Sequence, residues 1–345
     1  MNSRQPLFGL TLSQLQDVAS QLGMPRFAAK QMADWLYKKN VDSIDQMTNI
    51  SVKMRSELMT RYEVGRTAPT DVLTSVDGTR KYLFAYAENT AVETAYIPDA
   101  DRHTLCVSSQ FGCKMNCSFC MTGRQGFSGN LTAGQILNQL ASIDEHALIT
   151  NIVFMGMGEP MDNLTEVLSA VEVLTSSWGY AMSPRRITVS TIGIPHAVKQ
   201  FLEFSEAHLA ISLHSPQPSQ RAELMPVQKA YPVEDVIALL RQYNWFGQRR
   251  LTFEYTMFDH VNDSPEHARQ LVNLLRGLPC RVNLIGFNPI PNSTLRGTPA
   301  KRMADFRARL EESGLTATIR MSKGGDISAA CGMLSTKKKQ ENEVA

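Results

Sequence analysis

The sequence predicts an α/β fold: a partial (βα)6-type barrel preceded by a small helical domain and a β extension. Three observations predict it. From Thr104 to residue 334, apolar strand-like runs alternate with helical stretches, as in repeated βα units with a parallel sheet. Residues 1–66 show helical periodicity instead. Residues 67–103 carry alternating runs around Asp77-Gly78, a strong hairpin-turn signal.

The helical domain begins with a capping-box pair, Thr11 and Gln14, ahead of an apolar stripe that stops at Gly23. A second helix fits residues 28–36, and a third begins near Ser51. The segment has a mild excess of basic residues. A solvated helical surface and an RNA-binding face explain that excess equally well.

The barrel core is predicted from seven strand-like runs, which are TLCVSS, NIVFM, ITVST, LAISL, LTFEYTMF, VNLIGFN and TATIRM. Their number fits a partial or full barrel better than a dinucleotide-binding sheet, and chemistry in such barrels gathers at the C-terminal ends of the strands. Residues 335–345 read as a flexible basic tail.

The composition favours an enzyme without a membrane segment. A chain of 345 residues can hold one large domain and a small one, and 43% hydrophobic residues is ordinary for a globular core. No leader-like or long apolar run occurs, so we expect a cytoplasmic protein whose six cysteines stay reduced. The net charge of +2 neither requires nor excludes an RNA partner.

The most informative motif is a cysteine triplet, Cys113, Cys117 and Cys120, in the spacing C-x3-C-x2-C. Three thiolates can hold three irons of a four-iron cluster and leave the fourth iron open to a small molecule. A structural zinc knuckle is the alternative. It requires four ligands, usually in two separated pairs, and no second C-x2-C pair is present.

Polar and glycine residues follow the next predicted strands. Gly158 and Glu159 lie in GMGEP, where glycine lets the backbone approach a ligand and the carboxylate can receive an ammonium group. Ser190, the run Ser212 to His214 and Asn288 stand at later strand ends. Each one alone is explained by ordinary hydrogen bonding, but their convergence on one face of the barrel indicates a site.

Taken together, these motifs resemble a known family. Phe119 before the last cysteine completes the pattern of the radical S-adenosylmethionine (SAM) superfamily. Along nearly its whole length the chain resembles the RlmN/Cfr family of RNA methyltransferases within that superfamily. The matching segments are VETAYIP, LCVSSQFGCKMNCSFCMTG, FMGMGEP, RRITVSTIGIP, AISLHSP, VNLIGFNP and DISAACGML.

The resemblance implies a [4Fe-4S] cluster on the triplet and two molecules of SAM per turnover. One SAM methylates Cys331, and the other yields a radical that activates this methyl group for addition to an adenine carbon. Glu93 is implied as the base that removes the adenine proton, and Cys106 as the thiol that resolves the adduct by a disulfide with Cys331. The implied SAM contacts are Gly158, Glu159, Ser190, Ser212, Leu213, His214 and Asn288.

The implied substrate is C2 of an adenosine in the peptidyl-transferase region of 23S rRNA, and in some members also of tRNA, 3′ to the anticodon. A flavodoxin or ferredoxin as electron donor and a monomeric state are expected. Candidate phosphate contacts are Arg185, Arg186, Lys323, Lys337 to Lys339 and the helical domain. Two alternatives stay open: a Cfr-like C8 methyltransferase, and a non-catalytic zinc-dependent RNA-binding module.

Overall fold

The computed structural model describes residues 4–87 and 90–334. The predicted basic tail, residues 335–345 with Lys337 to Lys339, lies outside the described residues. No helix in the described part of the chain is both long and apolar enough to cross a membrane.

The N-terminal segment is helical, as predicted. Its elements are β1 (Gln5–Pro6), α1 (Leu12–Gln21), α2 (Ala28–Ala33), α3 (Val52–Arg61) and β2 (Tyr62–Glu63). The capping box is present, since the Thr11 and Gln14 side chains each accept the other's backbone N–H. Helix α2 continues as a π-helical turn over Asp34–Lys38, and β1 pairs in parallel with β2. This strand pair was not predicted, because runs of two residues carry no periodicity.

Ten strands form one sheet, which is the central sheet of the molecule. They are β3 (Asp71–Thr74), β4 (Arg80–Ala87), β5 (Thr90–Asp99), β6 (Arg102–Cys106), β9 (Asn151–Phe154), β10 (Ile187–Thr191), β11 (His208–Ser212), β12 (Leu251–Met257), β13 (Arg281–Gly286) and β14 (Thr316–Arg320). Strands β3 to β6 pair antiparallel, and every pair from β6 to β14 is parallel. The β extension therefore continues the sheet of the barrel.

A hairpin of β7 (Gln110–Gly112) and β8 (Phe127–Asn130) stands apart from this sheet. The helices between the parallel strands are α4 (Met121–Arg124), α5 (Ala133–Ala141), α6 (Leu164–Thr175), α7 (Pro195–Phe204), α8 (Pro218–Leu224), α9 (Val233–Leu240), α10 (Pro265–Leu275) and α11 (Ala300–Glu312). The parallel strands follow one another in chain order without a reversal. That order is typical of an open βα barrel, and the predicted fold class is confirmed.

The core explains why the strand-like runs were visible in the sequence. Every residue of β12 is buried, because helices cover one side of the strand and the barrel interior the other. The helical domain packs onto this barrel through aromatic rings, with Tyr37 5.9 Å from both Trp178 and Tyr180. Arg66 adds hydrogen bonds to the backbone oxygens of Asn40 and Ala141.

Candidate active site

A cavity opens at the C-terminal ends of the parallel strands, with about 930 Å³ of empty space including its mouth. Its size suits a small molecule. The predicted residues that line it are Cys113, Cys117, Cys120, Gly158, Glu159, Ser190, Ser212, His214, Asn288 and Cys331. Predicted residues from the ends of four strands and from two loops therefore meet in one place.

The cysteine triplet lies on the loop between β7 and α4. Strand β7 separates this loop from β6, the first barrel strand, and the β7–β8 hairpin frames the loop. Cys113 N–H donates to the Gly126 oxygen at 2.9 Å, and Cys120 N–H to the Cys117 oxygen at 3.2 Å. Burial raises the pKa of the Cys113 thiol to about 12 and holds the pKa of the Cys117 thiol well above its ordinary value. Iron binding would stabilise the thiolates that burial disfavours.

The donor set fits a cluster. All three thiol-bearing residues face the same cavity, and Phe119 and Met115 of the same loop supply apolar walls. Within residues 4–87 and 90–334, no three histidine, cysteine or acidic side chains are grouped closely enough to hold a single metal ion. Cluster thiolates bind different irons, so their sulfurs stand further apart than the ligands of one ion.

Gly158 and Glu159 connect β9 to the site. Gly158 has a φ of +100°, and a Cβ there would lie 2.5 Å from the Cβ of Gln110, so only glycine fits. The Glu159 carboxylate accepts backbone N–H groups from Met161 at 3.0 Å and Ile192 at 2.9 Å. Burial raises the pKa of Glu159 to about 7. Its carboxylate thus ties two strand ends together while it faces the cavity.

The run from Ser212 to His214 divides its roles. Ser212 and His214 line the cavity, whereas Leu213 is fully buried and is absent from the lining. The His214 ring lies 4.8 Å from the Phe119 ring, and its Nδ1 accepts the Thr256 N–H at 2.9 Å. Burial lowers the pKa of His214 to about 3, so the ring is neutral at physiological pH.

Cys331 lies on the loop after β14 and is exposed toward the cavity. Two backbone oxygens of this loop accept hydrogen bonds from α4, Gly332 from the Met121 N–H and Leu334 from the Thr122 hydroxyl, both at 2.8 Å. Asn288 reaches the Cys331 oxygen at 3.5 Å. The cysteine-triplet segment and the Cys331 loop are therefore in direct contact.

Cys106, the last residue of β6, is buried rather than part of the cavity lining. It packs with Ala95, Val153 and Ala329 in a small apolar cluster. Because Ala329 is two residues before Cys331, this contact brings the Cys331 loop to Cys106. Both cysteines are free thiols. Burial raises the pKa of Cys106 to about 12.

Glu93 lies on β5, two residues from Ala95, which pairs with Cys106. Its carboxylate is outside the cavity lining and lies 3.1 Å from Lys81 Nζ, with both side chains largely buried. Its backbone oxygen accepts the Ser108 hydroxyl at 2.6 Å. In the antiparallel pairing of β5 with β6, Glu93 lies beyond the last residue of β6, at the end of the sheet where the cavity opens.

A second acid in the cavity was missed in the sequence. Glu254 of β12 is buried, with one carboxylate oxygen 2.7 Å from Asn283 Nδ2 and the other 3.7 Å from Arg320 Nη1. The same Arg320 also acts on Cys331: desolvation raises the pKa of the Cys331 thiol, and the positive charge of Arg320 offsets part of that rise. The signal was available: Glu254 is the only charged residue in the apolar run LTFEYTMF.

The turn between β3 and β4 holds the start of the Cys331 loop. The Ser75 hydroxyl donates to an Asp326 carboxylate oxygen at 2.6 Å, and the Gly324 N–H donates to Asp77 at 2.8 Å. Hydrogen bonds, the largest of them from Thr79, hold the pKa of Asp77 well below its usual range against a desolvation effect. The β extension thus shapes the site from a distance.

The candidate phosphate contacts are separated by the fold. Arg185 and Arg186 precede β10, so they stand at the edge of the sheet opposite the cavity. Lys323 lies between β14 and Cys331, on the cavity side. The fold therefore places Lys323 on the same side of the sheet as the cavity, and the arginine pair on the opposite side.

Comparisons with known proteins agree with this geometry. A Radical SAM superfamily model matches residues 107–272, and a ribosomal RNA large subunit methyltransferase N-terminal domain model matches residues 5–64. A protein described as a probable dual-specificity RNA methyltransferase RlmN, from Bacteroides thetaiotaomicron, is 57% identical over 99% of both chains. The dual-specificity RNA methyltransferase RlmN of Halorhodospira halophila is 43% identical over 95% of this chain and 92% of its own.

The crystal structure of a radical SAM methyltransferase from Sphaerobacter thermophilus superposes with a TM-score of 0.89 at 39% identity. The match covers 96% of this chain and 99% of that one. The family resemblance seen in the sequence is thereby confirmed over the helical domain, the barrel and the Cys331 loop. The chain belongs to the RlmN family of radical SAM RNA methyltransferases.

Proposed function

We propose that the protein methylates C2 of adenosine in 23S rRNA and in tRNA, with Cys331 as the carrier of the methyl group. The observation that carries this proposal is the meeting of Cys331 with the cysteine triplet in one cavity, across the backbone hydrogen bond from Met121 to Gly332. The relatives named above are dual-specificity RNA methyltransferases, which supports two RNA substrates.

Cys113, Cys117 and Cys120 would hold a [4Fe-4S] cluster, and the polar strand ends would hold SAM. When bound, the cluster and SAM supply the carbon radical that the reaction requires. The chain contributes orientation: Gly158 gives close backbone approach, Ser190 and Ser212 offer hydroxyls, and neutral His214 offers an uncharged ring. The residues implied for SAM binding, Leu213 included, stay predictions.

Cys331 would act twice. Its thiolate first takes a methyl group from SAM, because a carbon such as C2 of adenine cannot displace that methyl group by polar attack. The S-methyl group would then give one hydrogen atom to the carbon radical that the bound cluster and SAM supply, and its carbon would bond to C2, which joins protein and RNA covalently. A residue on a loop, exposed toward the cavity and fixed at its neighbours, suits both encounters.

Glu93 and Cys106 would complete the reaction. Glu93 removes the C2 proton as the base. The adduct would also give up one electron, for which the bound cluster can serve as acceptor. The Cys106 thiolate then attacks the Cys331 sulfur, the S–C bond breaks as the disulfide forms, and the released carbon takes a proton to become the methyl group at C2. A thiol reductant would restore the two cysteines. The apolar contact between Cys106 and Ala329 supports this pairing, since it holds the Cys331 loop beside the resolving thiol.

The remaining partners belong to the same proposal. Residues 1–66 would form an RNA-binding domain beside a β extension at 67–103 and a barrel at 104–334. A flavodoxin or ferredoxin would donate the electron, and the protein would act as a monomer in the cytoplasm. The free state of all six cysteines supports a reducing compartment.

Product analysis tests the proposal. Anaerobically reconstituted protein is incubated with SAM, a reductant and either protein-free 23S rRNA or total tRNA, and the RNA is digested to nucleosides. We expect 2-methyladenosine from both RNAs and none from Cys331→Ala protein. Formation of 8-methyladenosine would instead support the C8 activity, and protein that lacks iron and sulfide would contradict the whole scheme. Cys106→Ala protein should accumulate a protein–RNA crosslink.

A further inference from the structure

Arg221 of α8 is a fully buried cation, with no exposed surface. Its guanidinium donates to the backbone oxygens of Leu213 at 3.1 Å, Ile192 at 2.9 Å and Ser212 at 2.9 Å, and to the amide oxygen of Gln228. All four acceptors are neutral. Among the residues that the structure describes, no carboxylate is within ion-pair distance of this guanidinium.

A buried charge without a counter-ion is costly, and proteins rarely keep one. Hydrogen bonds to carbonyls offset part of the cost, as they do for the planar guanidinium in general. The nearest acid in this network is Glu234, one step away, because it accepts a hydrogen bond from Gln228 at 2.9 Å. Burial lowers the pKa of Arg221 to about 10, so the side chain is still charged at neutral pH.

The surroundings of Arg221 point to the cysteine triplet. The Ser118 N–H, next to Cys117, donates to the oxygen of Leu224 at the end of α8, at 2.9 Å. Met225, the following residue, lines the cavity together with the three cysteines. Against the larger effect of burial, negative charge on Cys117 raises the pKa of Arg221. The helix that carries Arg221 therefore adjoins the loop of the cysteine triplet, where a bound cluster would add buried negative charge.

We propose that Arg221 is the buried counter-charge of the cluster and raises its reduction potential. The inference rests on the proposed function, since it assumes that the triplet holds a [4Fe-4S] cluster. With three thiolates the cluster is anionic, and it becomes more negative when it accepts an electron. A fixed positive charge nearby stabilises the reduced form more than the oxidised form, and net charge is one of the known determinants of such potentials.

The same side chain shapes the cavity wall. Ile192 directly follows β10, and Ser212 and Leu213, which are themselves predicted SAM contacts, stand at the end of β11. Arg221 thus links the electrostatics of the cluster to the position of these strand ends. Its charge and its hydrogen bonds make separate contributions, and different variants can distinguish them.

The test is a redox titration of the reconstituted protein with dithionite, followed by the cluster's visible and electron paramagnetic resonance signals. Arg221→Gln removes the charge and keeps part of the hydrogen bonding, and its potential should become more negative. Arg221→Lys keeps the charge and should stay near the wild-type potential. Arg241→Gln is the matched control, because Arg241 also donates to two backbone oxygens but is exposed. It should cause no shift.

The outcomes separate the two proposals. Arg221→Gln protein with wild-type iron and sulfide content and an unchanged potential would overturn the inference. If that variant does not retain its cluster, the double variant Q228E/E234Q decides. This double variant moves a carboxylate next to the Arg221 guanidinium without changing the total charge, so the reduction potential of the cluster should become more negative. An unchanged potential again overturns the inference. Wild-type protein that assembles no cluster contradicts the proposed function instead.

Discussion

Lys81 Nζ lies 3.1 Å from a carboxylate oxygen of Glu93, and each side chain keeps only about a tenth of its surface exposed. Removing one partner of a buried ion pair lowers stability by more than the pair contributes, because the remaining charge stays desolvated. The orientation of the Glu93 carboxylate therefore depends on Lys81.

We predict that Lys81→Met slows removal of the adenine proton, so that a protein–RNA adduct accumulates. Denaturing gels of single-turnover reactions measure the protein–RNA adduct as a slowly migrating band. Lys81→Arg is the matched control and should resolve the adduct at close to the wild-type rate, since it keeps a cation at this position. Equal amounts of adduct in Lys81→Met and wild-type protein would show that Lys81 does not act through Glu93.

The resolution step should be steeply dependent on pH. Burial raises the pKa of Cys106 to about 12. At neutral pH only a small fraction of Cys106 is thiolate. As long as the pH is below the pKa, each rise of one pH unit increases this fraction about tenfold. We therefore expect the rate of adduct release to rise with pH and not to level off near the pKa of an ordinary thiol.

The measurement is adduct release after rapid mixing at several pH values. Cys106→Ala protein is the control and should release little RNA at any pH. A plateau between about pH 8 and 9, where unperturbed cysteines titrate, would mean that Cys106 becomes solvated before it reacts.

Gly158 should tolerate no side chain. Its φ of +100° strains any other residue, and an added Cβ would be 2.5 Å from the Gln110 Cβ. Gly158→Ala should destabilise the cofactor-free protein by roughly 1–3 kcal/mol or more. Gly286→Ala is the matched control: this glycine lines the same cavity, but a Cβ added to it would meet no atom within 4 Å. Thermal unfolding of the two variants measures the difference, and equal unfolding midpoints for Gly158→Ala and Gly286→Ala would refute the steric argument.

The junction between the helical domain and the barrel offers a paired test of hydrogen bonding. The Tyr37 hydroxyl donates to the Leu10 oxygen at 2.5 Å and accepts the Gly9 N–H at 3.2 Å. Tyr37→Phe should cost about 1–3 kcal/mol of unfolding free energy, because buried backbone groups lose their partner. The buried hydroxyl of Tyr180 has no partner in the described structure, so Tyr180→Phe should be neutral or stabilising. Denaturant unfolding of both variants measures the difference.

The sequence predicted the barrel well because its inner strands, such as β11 and β12, are buried on both faces. All seven strand-like runs contain a strand of the parallel sheet, and β12, buried throughout, was among the clearest. The cluster loop was visible for a different reason, since three cysteines at short spacing are informative before any fold is known. The polar strand ends followed from the parallel sheet, whose carboxyl ends share one edge.

Long-range contacts were beyond the reach of periodicity. The roles of Cys106 and Glu93 came only from the family resemblance, because their positions relative to Cys331 depend on strand register and on the packing of Ala329. Arg221 gave no signal either. In the sequence it is one basic residue in a short helix, and only the fold reveals that its charge is buried.

The loop that carries Cys331 has a consequence for how the enzyme matures. Within the described part of the chain, the loop is held by partners from earlier in the sequence: Ser75 and Asp77 from the β3–β4 turn, Met121 from the helix after the triplet, and Asn288 from beyond β13. During synthesis the triplet leaves the ribosome long before Cys331 does. The proposed methyl carrier is therefore the last component of the site to be placed, and a nascent chain that already contains the three proposed iron ligands still lacks Cys331.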